Sequence, residues 1–301
     1  MLRTNLIALA LLSAATARAD PTPKHPMALP TEYVTDRFYV TPTLANGAKL
    51  RCYTDSGGGG AFVFDDRLKP LGGALTKRKE GGQTLVTTPW PRFAVGAAIP
   101  QPLSPPYFIV LPRGGFGDSI DCFLGQSWFG GRTWTFDYAG KTLWWRAPGD
   151  LPAHDKAHET KLTFKEGAWF PRIVVSIDGE DVPLLFDTGA TITSEGMARG
   201  GSFITTRTLE KWRKKHPDWR IVDGGDVLDR GKLRTIEVPA VVVGGFSVGP
   251  VIFAERADKN FDDFMSSFMA AHVEGALGGS ALHYLRVTVD YARGVAVFEK
   301  P

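Results

Sequence analysis

The sequence predicts a two-lobed, all-β protein with a few short helices. The first observation behind this prediction is a β-hairpin followed by an aspartate, a hydroxyl residue and a glycine, a pattern that occurs twice in the 301 residues. The second is a closing segment, an apolar run that ends in a glycine and leads to another hairpin, which also occurs twice. Because both patterns recur in the same order, we interpret the chain as an internal duplication.

The first hairpin lies near the start of the N-terminal half. Residues 38–44 and 49–53 are strand-length segments, and Asn46-Gly47 between them is a turn signal. The triplet Asp55-Ser56-Gly57 follows directly. The Asp55 carboxyl group is therefore expected where the second strand of this hairpin ends.

The second hairpin has the same spacing. Residues 173–177 alternate as a strand, Asp178-Gly179 is the turn signal, and residues 182–186 return as an apolar strand. Asp187-Thr188-Gly189 comes next, and the turn glycine precedes the aspartate by eight positions in both copies. A carboxyl group at the end of a buried strand is a candidate for chemistry, because burial and neighbouring charges perturb its pKa.

The closing segments align without a gap. The corresponding pairs are residues 121–125 and 274–278, Thr135 and Thr288, and Asp137-Tyr138-Ala139 and Asp290-Tyr291-Ala292. Asp137 and Asp290 each precede the turn of the final hairpin, so we interpret both as structural.

With these motifs in this order, the chain resembles the aspartic peptidases of the pepsin and retropepsin superfamily over residues 35–300. The resemblance implies a pepsin-like fold of duplicated retropepsin-like β-barrel lobes. It also implies an aspartic endopeptidase whose catalytic residues are Asp55 and Asp187, one from each lobe. The other residues that the resemblance implicates are the supporting Ser56, Gly57, Thr188 and Gly189 and the closing-strand glycines Gly125 and Gly278.

Two such aspartates have a clear chemical use. Carboxyl groups held about 3 Å apart cannot both ionise readily, so the pair shares one proton. The ionised member takes a proton from water, which attacks the peptide carbonyl, while the protonated member donates to the carbonyl oxygen. The expected substrate is an extended peptide or unfolded protein, and no cofactor is needed.

One residue after each triplet, the chain departs from the pepsin pattern. Pepsins usually have a hydroxyl residue there, whereas this chain has Gly58 and Ala190. Ala190 is similar to the retropepsins. Fewer donors to the ionised carboxyl groups predict a more basic pair and a less acidic pH optimum.

The sequence divides into five segments. Residues 1–19 read as a cleavable signal peptide, with a basic start and an apolar run too short to span a bilayer permanently. We then expect a flexible lead-in over residues 20–31, an N-terminal β lobe over 32–146, a polar linker over 147–160 and a C-terminal β lobe over 161–301. The expected location is the periplasm or the extracellular space, and the protein is expected to be a monomer.

The charge balance excludes two classes of partner. The chain has 35 basic and 32 acidic residues, and removal of the signal peptide takes Arg3 and Arg18 away, which leaves a net charge of about +1. A nucleic-acid-binding or membrane-surface protein is typically far more basic. We therefore expect no nucleic-acid partner and no membrane anchor.

The two cysteines are Cys52 and Cys122. In the fold that the resemblance implies, their strands are neighbours, and export favours oxidation, so a disulfide is expected. Two buried free thiols remain the alternative. Two cysteines without clustered histidines do not make a zinc site, and the pair His154 and His158 lacks a third ligand nearby, so no metal is expected.

Glycines and prolines mark the loops that would cover substrate. Prolines between residues 89 and 106 exclude a long helix there. Trp90 is a candidate for a flap tip, with a core-covering tryptophan as the alternative. Asp223-Gly224-Gly225 and Gly231 bracket a second flap-like hairpin, and residues 238–243 and 246–253 read as paired strands.

Two helices are predicted in the C-terminal half. The first spans residues 208–215, with Leu209 and Trp212 facing inward. The second is an amphipathic, core-facing helix with Asn260 as its N-cap. Its apolar positions are Phe261, Phe264, Met265, Phe268 and Met269.

Two other functions compete with the peptidase. A serine hydrolase needs a nucleophile elbow, but the sequences around Ser127 and Ser280 both lack its final glycine, and a weaker match at residues 117–120 lies mid-chain. A catalytically inactive pepsin-like protein that binds peptides or acts as an inhibitor is the stronger alternative. The glycines at Gly58-Gly59-Gly60 favour it, whereas an intact aspartate in both halves opposes it.

Overall fold

A computed structural model of the chain describes residues 23–80, 82–114, 119–222, 224–226 and 234–301. The predicted signal peptide, the first residues of the lead-in, the first two residues of the serine-hydrolase match at 117–120 and part of the predicted second flap-like hairpin lie outside these ranges. Among the described residues, no helix is both long and apolar enough to cross a membrane.

Most of the regular structure is β-strand. In the N-terminal half the strands are β1 (Met27–Ala28), β2 (Thr31–Val34), β3 (Arg37–Val40), β4 (Cys52–Thr54), β5 (Ala61–Phe64), β6 (Thr76–Glu80), β7 (Gln83–Pro89), β8 (Tyr107–Leu111), β9 (Cys122–Leu124), β10 (Thr133–Asp137) and β11 (Thr142–Arg146). In the rest of the chain they are β12 (Glu159–Lys161), β13 (Arg172–Ile177), β14 (Glu180–Phe186), β15 (Thr191–Ser194), β16 (Met197–Gly200), β17 (Ser202–Thr205), β18 (Ile221–Val222), β19 (Gly224–Asp226), β20 (Thr235–Val238), β21 (Val241–Val243), β22 (Phe246–Val248), β23 (Val251–Arg256), β24 (Gly275–Leu277), β25 (Arg286–Asp290) and β26 (Val295–Glu299).

The helices are short, as predicted. They are α1 (Leu68–Leu71), α2 (Gln126–Phe129), α3 (Thr206–Lys215), α4 (Ser266–Phe268) and α5 (Gly279–Leu282), with 3₁₀ turns at Asp65–Arg67 and Lys156–His158 and a π-helix at Asn260–Met265. The predicted all-β class is thus confirmed.

The strand order repeats between the two largest sheets. The eight-stranded sheet contains the run β3-β4-β9-β5-β8-β7, and the nine-stranded sheet contains the run β13-β14-β24-β17-β23-β20. In both runs the strand before the aspartate pairs in parallel with the strand of the closing segment, β4 with β9 and β14 with β24. The duplication inferred from the sequence is therefore present in the topology.

A six-stranded sheet joins the two halves, in the order β1-β11-β10-β25-β26-β12. At its centre β10 and β25 are antiparallel, and Thr135 lies opposite Thr288. The two hydroxyl oxygens are 2.7 Å apart and both residues are buried. Residues that correspond in the duplication are thus direct neighbours here.

A continuous hydrophobic core underlies these sheets. Trp128, Trp134, Phe129 and Phe136 are fully buried, and the ring centroids of Trp128 and Trp134 are 4.4 Å apart. Phe136 also packs edge-on against Phe186, at 6.1 Å between ring centroids. These aromatic contacts pack Phe186, the residue directly before Asp187, against the joining sheet.

The predictions for the lead-in and for residues 238–253 have different outcomes. The predicted flexible lead-in contains β1, because Met27 and Ala28 pair with β11 and Leu29 is buried. The predicted pairing of residues 238–243 with residues 246–253 is confirmed, because β21 pairs with β22 and Val238 of β20 pairs with Val251 of β23 in the same register, with a division at Pro239 and Pro250. A proline lacks the N–H group that a central strand needs, which explains the division.

The first predicted helix is confirmed, whereas the second differs in type and in its N-cap. α3 begins at Thr206 and buries Leu209 and Trp212, as predicted. The second predicted helix is a π-helix over Asn260–Met265 followed by α4, and its N-cap is Lys259 rather than Asn260. Its apolar side chains still face a core cluster that includes Ala190 and Ile192.

Candidate active site

Asp55 lies in the loop that follows β4. Its backbone N–H donates to the Leu124 carbonyl of the neighbouring parallel strand at 3.0 Å, and its own carbonyl accepts from Gly58 at 3.1 Å. The Gly57 N–H donates to Asp55 Oδ1 at 2.9 Å. The loop therefore holds the carboxyl group at the end of the sheet.

Asp187 has an equivalent setting after β14. Its N–H donates to the Leu277 carbonyl at 2.9 Å, and its carbonyl accepts from Ala190 at 3.2 Å. The Gly189 N–H donates to Asp187 Oδ1 at 3.1 Å. Each contact of the first aspartate loop thus has a counterpart in the second, and the two aspartates predicted from the sequence lie together.

Ser56 and Thr188 connect the two loops. The Ser56 hydroxyl donates to the Phe186 carbonyl at 2.8 Å and accepts from the Thr188 N–H at 2.9 Å. In return the Ser56 N–H donates to Thr188 Oγ1 at 3.2 Å. Both residues are completely buried, so these hydrogen bonds form away from water and fix the spacing of the loops at their base.

The loop glycines are required for space. A Cβ atom on Gly57 would lie 2.6 Å from Asp187 Oδ2, and one on Gly189 would lie 2.6 Å from Asp55 Oδ1. Each glycine therefore faces the carboxyl group of the opposite loop. Gly58 is equally confined, because its Cβ would overlap the Phe123 ring and lie 2.8 Å from Asp55 Oδ2.

The closing-strand glycines support the loops from the other side. A Cβ atom on Gly125 would be 2.7 Å from the Gly59 carbonyl carbon, and one on Gly278 would be 2.7 Å from Ala190 Cβ and 2.8 Å from the Asp187 carbonyl oxygen. Both positions contact the backbone of an aspartate loop and admit no side chain.

The pKa of Asp55 differs from that of an exposed aspartate. Burial raises the pKa of Asp55 well above its ordinary range, and the charge of Asp187 and a hydrogen bond with its carboxyl group raise that pKa further. Each aspartate keeps a partly accessible edge, yet the surrounding loops are dense enough for burial to dominate.

A positive charge acts on Asp187. Burial raises its pKa, but the hydrogen bond from Asp55 and the positive charge of Arg256 oppose that rise. The Arg256 guanidinium lies over the Phe203 ring, 3.6 Å from its centroid. A cation near one carboxyl group alone favours negative charge on that group.

Arg256 and three tyrosines near the aspartates were not predicted from the sequence. Tyr53 is two residues before Asp55, and its hydroxyl contacts the second aspartate loop. Burial raises the pKa of Tyr138 and of Tyr291, and the charge of Asp187 raises both further. The signal for Tyr53 was a polar ring at a position where the second copy has the apolar Leu185.

Cys52 and Cys122 form a disulfide, as expected. They are direct partners in the parallel pair of β4 and β9, with Cα atoms 4.4 Å apart. The bond crosslinks the strand that leads to Asp55 with the strand that closes behind it.

Other residues singled out in the sequence lie elsewhere. Trp90 stacks on Phe108 with ring centroids 4.4 Å apart, so it covers the core and is not a flap tip. His154 contacts Glu159, and His158 contacts the Gly244 carbonyl, which makes both structural rather than solvated. In the described ranges no group of three or more potential metal ligands is found.

Comparisons with known proteins show a similar fold but no family. No protein-family model matches the chain, and no curated protein matches it. One similar solved structure is conglutin gamma, described as a unique basic 7S globulin from lupine seeds, with 10% sequence identity and a TM-score of 0.51. The match covers 92% of this chain and 95% of conglutin gamma. At this identity the likeness shows a similar fold alone.

Proposed function

We propose that the protein is an aspartic endopeptidase with a two-lobed, pepsin-like fold that uses Asp55 and Asp187 as a catalytic pair. One observation carries this proposal: two half-buried carboxyl groups, on equivalent loops 132 residues apart in sequence, lie together, each against the glycine of the opposite triplet. Two such groups with one shared proton suit the hydrolysis of a peptide bond by an activated water.

The asymmetry of the pair suggests separate roles. Arg256 favours the charge on Asp187, so Asp187 is the base that removes a proton from water. Asp55 is the acid that gives its proton to the carbonyl oxygen as the water oxygen bonds to the carbonyl carbon. When the tetrahedral intermediate collapses, the proton held by Asp187 passes to the leaving amine and a hydroxyl proton returns to Asp55.

The raised pKa of Asp55 supports a less acidic pH optimum. Activity needs Asp187 ionised and Asp55 protonated, and a raised pKa keeps Asp55 protonated to higher pH. The backbone N–H groups of Gly57 and Gly189 donate to the two carboxyl groups, and Gly58 and Ala190 have no hydroxyl group that could add a further donor.

The proposed substrate is an extended peptide or an unfolded protein, held by backbone hydrogen bonds. We further propose a monomer exported to the periplasm or the extracellular space. The disulfide supports export, because such bonds persist in oxidising compartments.

Hydrolysis of a denatured protein from about pH 3 to pH 7 tests this proposal. Asp55→Asn and Asp187→Asn should each abolish cleavage, and a statine-type inhibitor should block the unmodified enzyme. Asp66→Asn is the matched control, because Asp66 is an exposed carboxylate paired with Arg113 at 2.7 Å. Cleavage that survives either substitution in a folded protein would refute the catalytic pair.

A catalytically inactive peptide-binding or inhibitor-like protein is the second candidate. The absence of a hydroxyl at Gly58 favours it, and the description of conglutin gamma as a globulin names no enzyme. Binding of peptides without cleavage at any pH would support this second function over the first.

A further inference from the structure

Tyr53 joins the two aspartate loops at a point separate from Ser56 and Thr188. It is the middle residue of β4, and its hydroxyl donates to the Gly189 carbonyl at 2.5 Å. The same hydroxyl is 2.8 Å from Thr191 Oγ1, and Thr191 also donates to the Gly189 carbonyl at 3.0 Å. A side chain of the first half thus holds a backbone group of the second.

The ring of Tyr53 is itself fixed by packing. Its centroid is 5.1 Å from that of Tyr39 and 5.9 Å from that of Phe123. Phe123 is also its partner in the parallel pair of β4 and β9. A ring held between two others on a strand presents its hydroxyl at a defined position.

The contact has no counterpart on the other side of the pair. The residue that corresponds to Tyr53 is Leu185, which is buried and has no hydroxyl. The exchange between Ser56 and Thr188 joins the loops at their base. The contact at Gly189 joins them at a second point.

Gly189 is also the residue that faces Asp55. Since a Cβ atom there would lie 2.6 Å from Asp55 Oδ1, any shift of the Gly189 backbone changes the surroundings of that carboxyl group directly. We infer that Tyr53 is a positioning residue: by holding the Gly189 carbonyl, it fixes the separation of the Asp55 and Asp187 carboxyl groups. This inference rests on the proposed function of the pair.

The charged and titratable groups around the pair are few. Tyr53, Tyr138 and Tyr291 face it from strands or adjoining turns of both halves, with the cation Arg256 beside Asp187. Arg37, Asp36, Tyr33 and Tyr39 act on these tyrosines and not directly on the pair. Tyr53→Phe removes none of the charged groups, so a change in titration then reports the spacing of the carboxyl groups.

The test is a titration of the full chain, labelled with ¹³C at aspartate side chains and followed by NMR. Asp55→Asn and Asp187→Asn identify the signals of the pair. In Tyr53→Phe the loops should relax apart, and weaker coupling between the carboxyl groups should move the upper titration step to lower pH. Tyr39→Phe is the matched control, because it removes a hydroxyl from the adjacent ring.

If the peptidase is active, kcat of Tyr53→Phe should fall about tenfold or more while KM changes little, since small displacements of reacting groups lower the chemical rate. An upper step in Tyr53→Phe that matches the unmodified protein would overturn the inference. Should Tyr53→Phe fail to fold, Thr191→Val replaces it, with a smaller downward shift expected and no shift overturning the inference.

The titration also separates this inference from the proposed function. A coupled pair in a protein that cleaves nothing would overturn the peptidase, and the Tyr53→Phe titration would still decide the role of Tyr53. Two independent aspartates in the unmodified protein would overturn the paired site and the role of Tyr53 together.

Discussion

Replacement of Ser56 by alanine should destabilise the protein more than its small size suggests. The Ser56 hydroxyl makes two hydrogen bonds to backbone groups of the other half, at 2.8 Å and 2.9 Å, and is completely buried. Alanine leaves the Phe186 carbonyl and the Thr188 N–H without this partner. A buried polar group left unpaired costs about 1–3 kcal/mol, so we expect a loss of about 2–4 kcal/mol in the free energy of unfolding.

Thr188→Ser is the matched control for this measurement. It keeps a hydroxyl able to accept from the Ser56 N–H and removes one buried methyl group, which is worth about 1 kcal/mol. Thr188→Ala should fall between the two, because it leaves one backbone group unpaired instead of two.

Urea unfolding followed by tryptophan fluorescence and by circular dichroism measures all three free energies. The midpoint should fall while the slope of free energy against urea stays unchanged. Equal losses for Ser56→Ala and Thr188→Ser would refute the reasoning, because they would mean that the two hydrogen bonds add nothing beyond the packing of the side chain.

Two further predictions concern stability. Because the pKa of Asp55 is raised in the folded state, its contribution to stability is present below the ordinary value of 3.8 and is lost as pH rises through the raised value. Asp55→Asn should therefore be more stable than the unmodified protein at neutral pH, by about 1.4 kcal/mol per unit of pKa elevation. Thermal unfolding measured from acid to neutral pH should show that this advantage becomes smaller toward acid pH. A stability difference that does not change with pH would contradict the raised pKa of Asp55. The disulfide between Cys52 and Cys122 spans 70 residues, so reduction should cost about 4 kcal/mol; an unchanged urea midpoint under reductant would mean that the bond does not form.

The duplicated parts of the fold were predictable because their signals are local. Turn residues, alternating strands and the Asp-hydroxyl-Gly triplets each occupy fewer than ten residues and occur twice. Their alignment also placed Thr135 against Thr288 as equivalents. The two meet as cross-strand partners because equivalent positions of a duplicated structure come together where the halves join.

Other features depend on contacts that no local pattern encodes. The π-helix at Asn260–Met265 packs its apolar side chains on a core cluster formed by distant residues, and Trp90 reads equally well as a loop residue until its contact with Phe108 is known. Tyr53 and Arg256 lie outside the triplets, on strands that the sequence marks as ordinary.

We expect Tyr53 and Arg256 to make the surroundings of Asp55 and Asp187 different, which the two equivalent triplets cannot do. Equivalent loops give Asp55 and Asp187 the same backbone donors, so the symmetric frame provides no preference for the shared proton. Tyr53 stands where the second copy has Leu185, and Arg256 pairs with Thr205 in the register where Leu111 pairs with Phe64 in the first copy. Each substitution of a polar for an apolar group acts on one side of the pair. Under the proposed function we therefore expect Arg256 to set the direction of proton sharing and Tyr53 to set the separation of the carboxyl groups, whereas the pairing itself follows from residues that the two copies share.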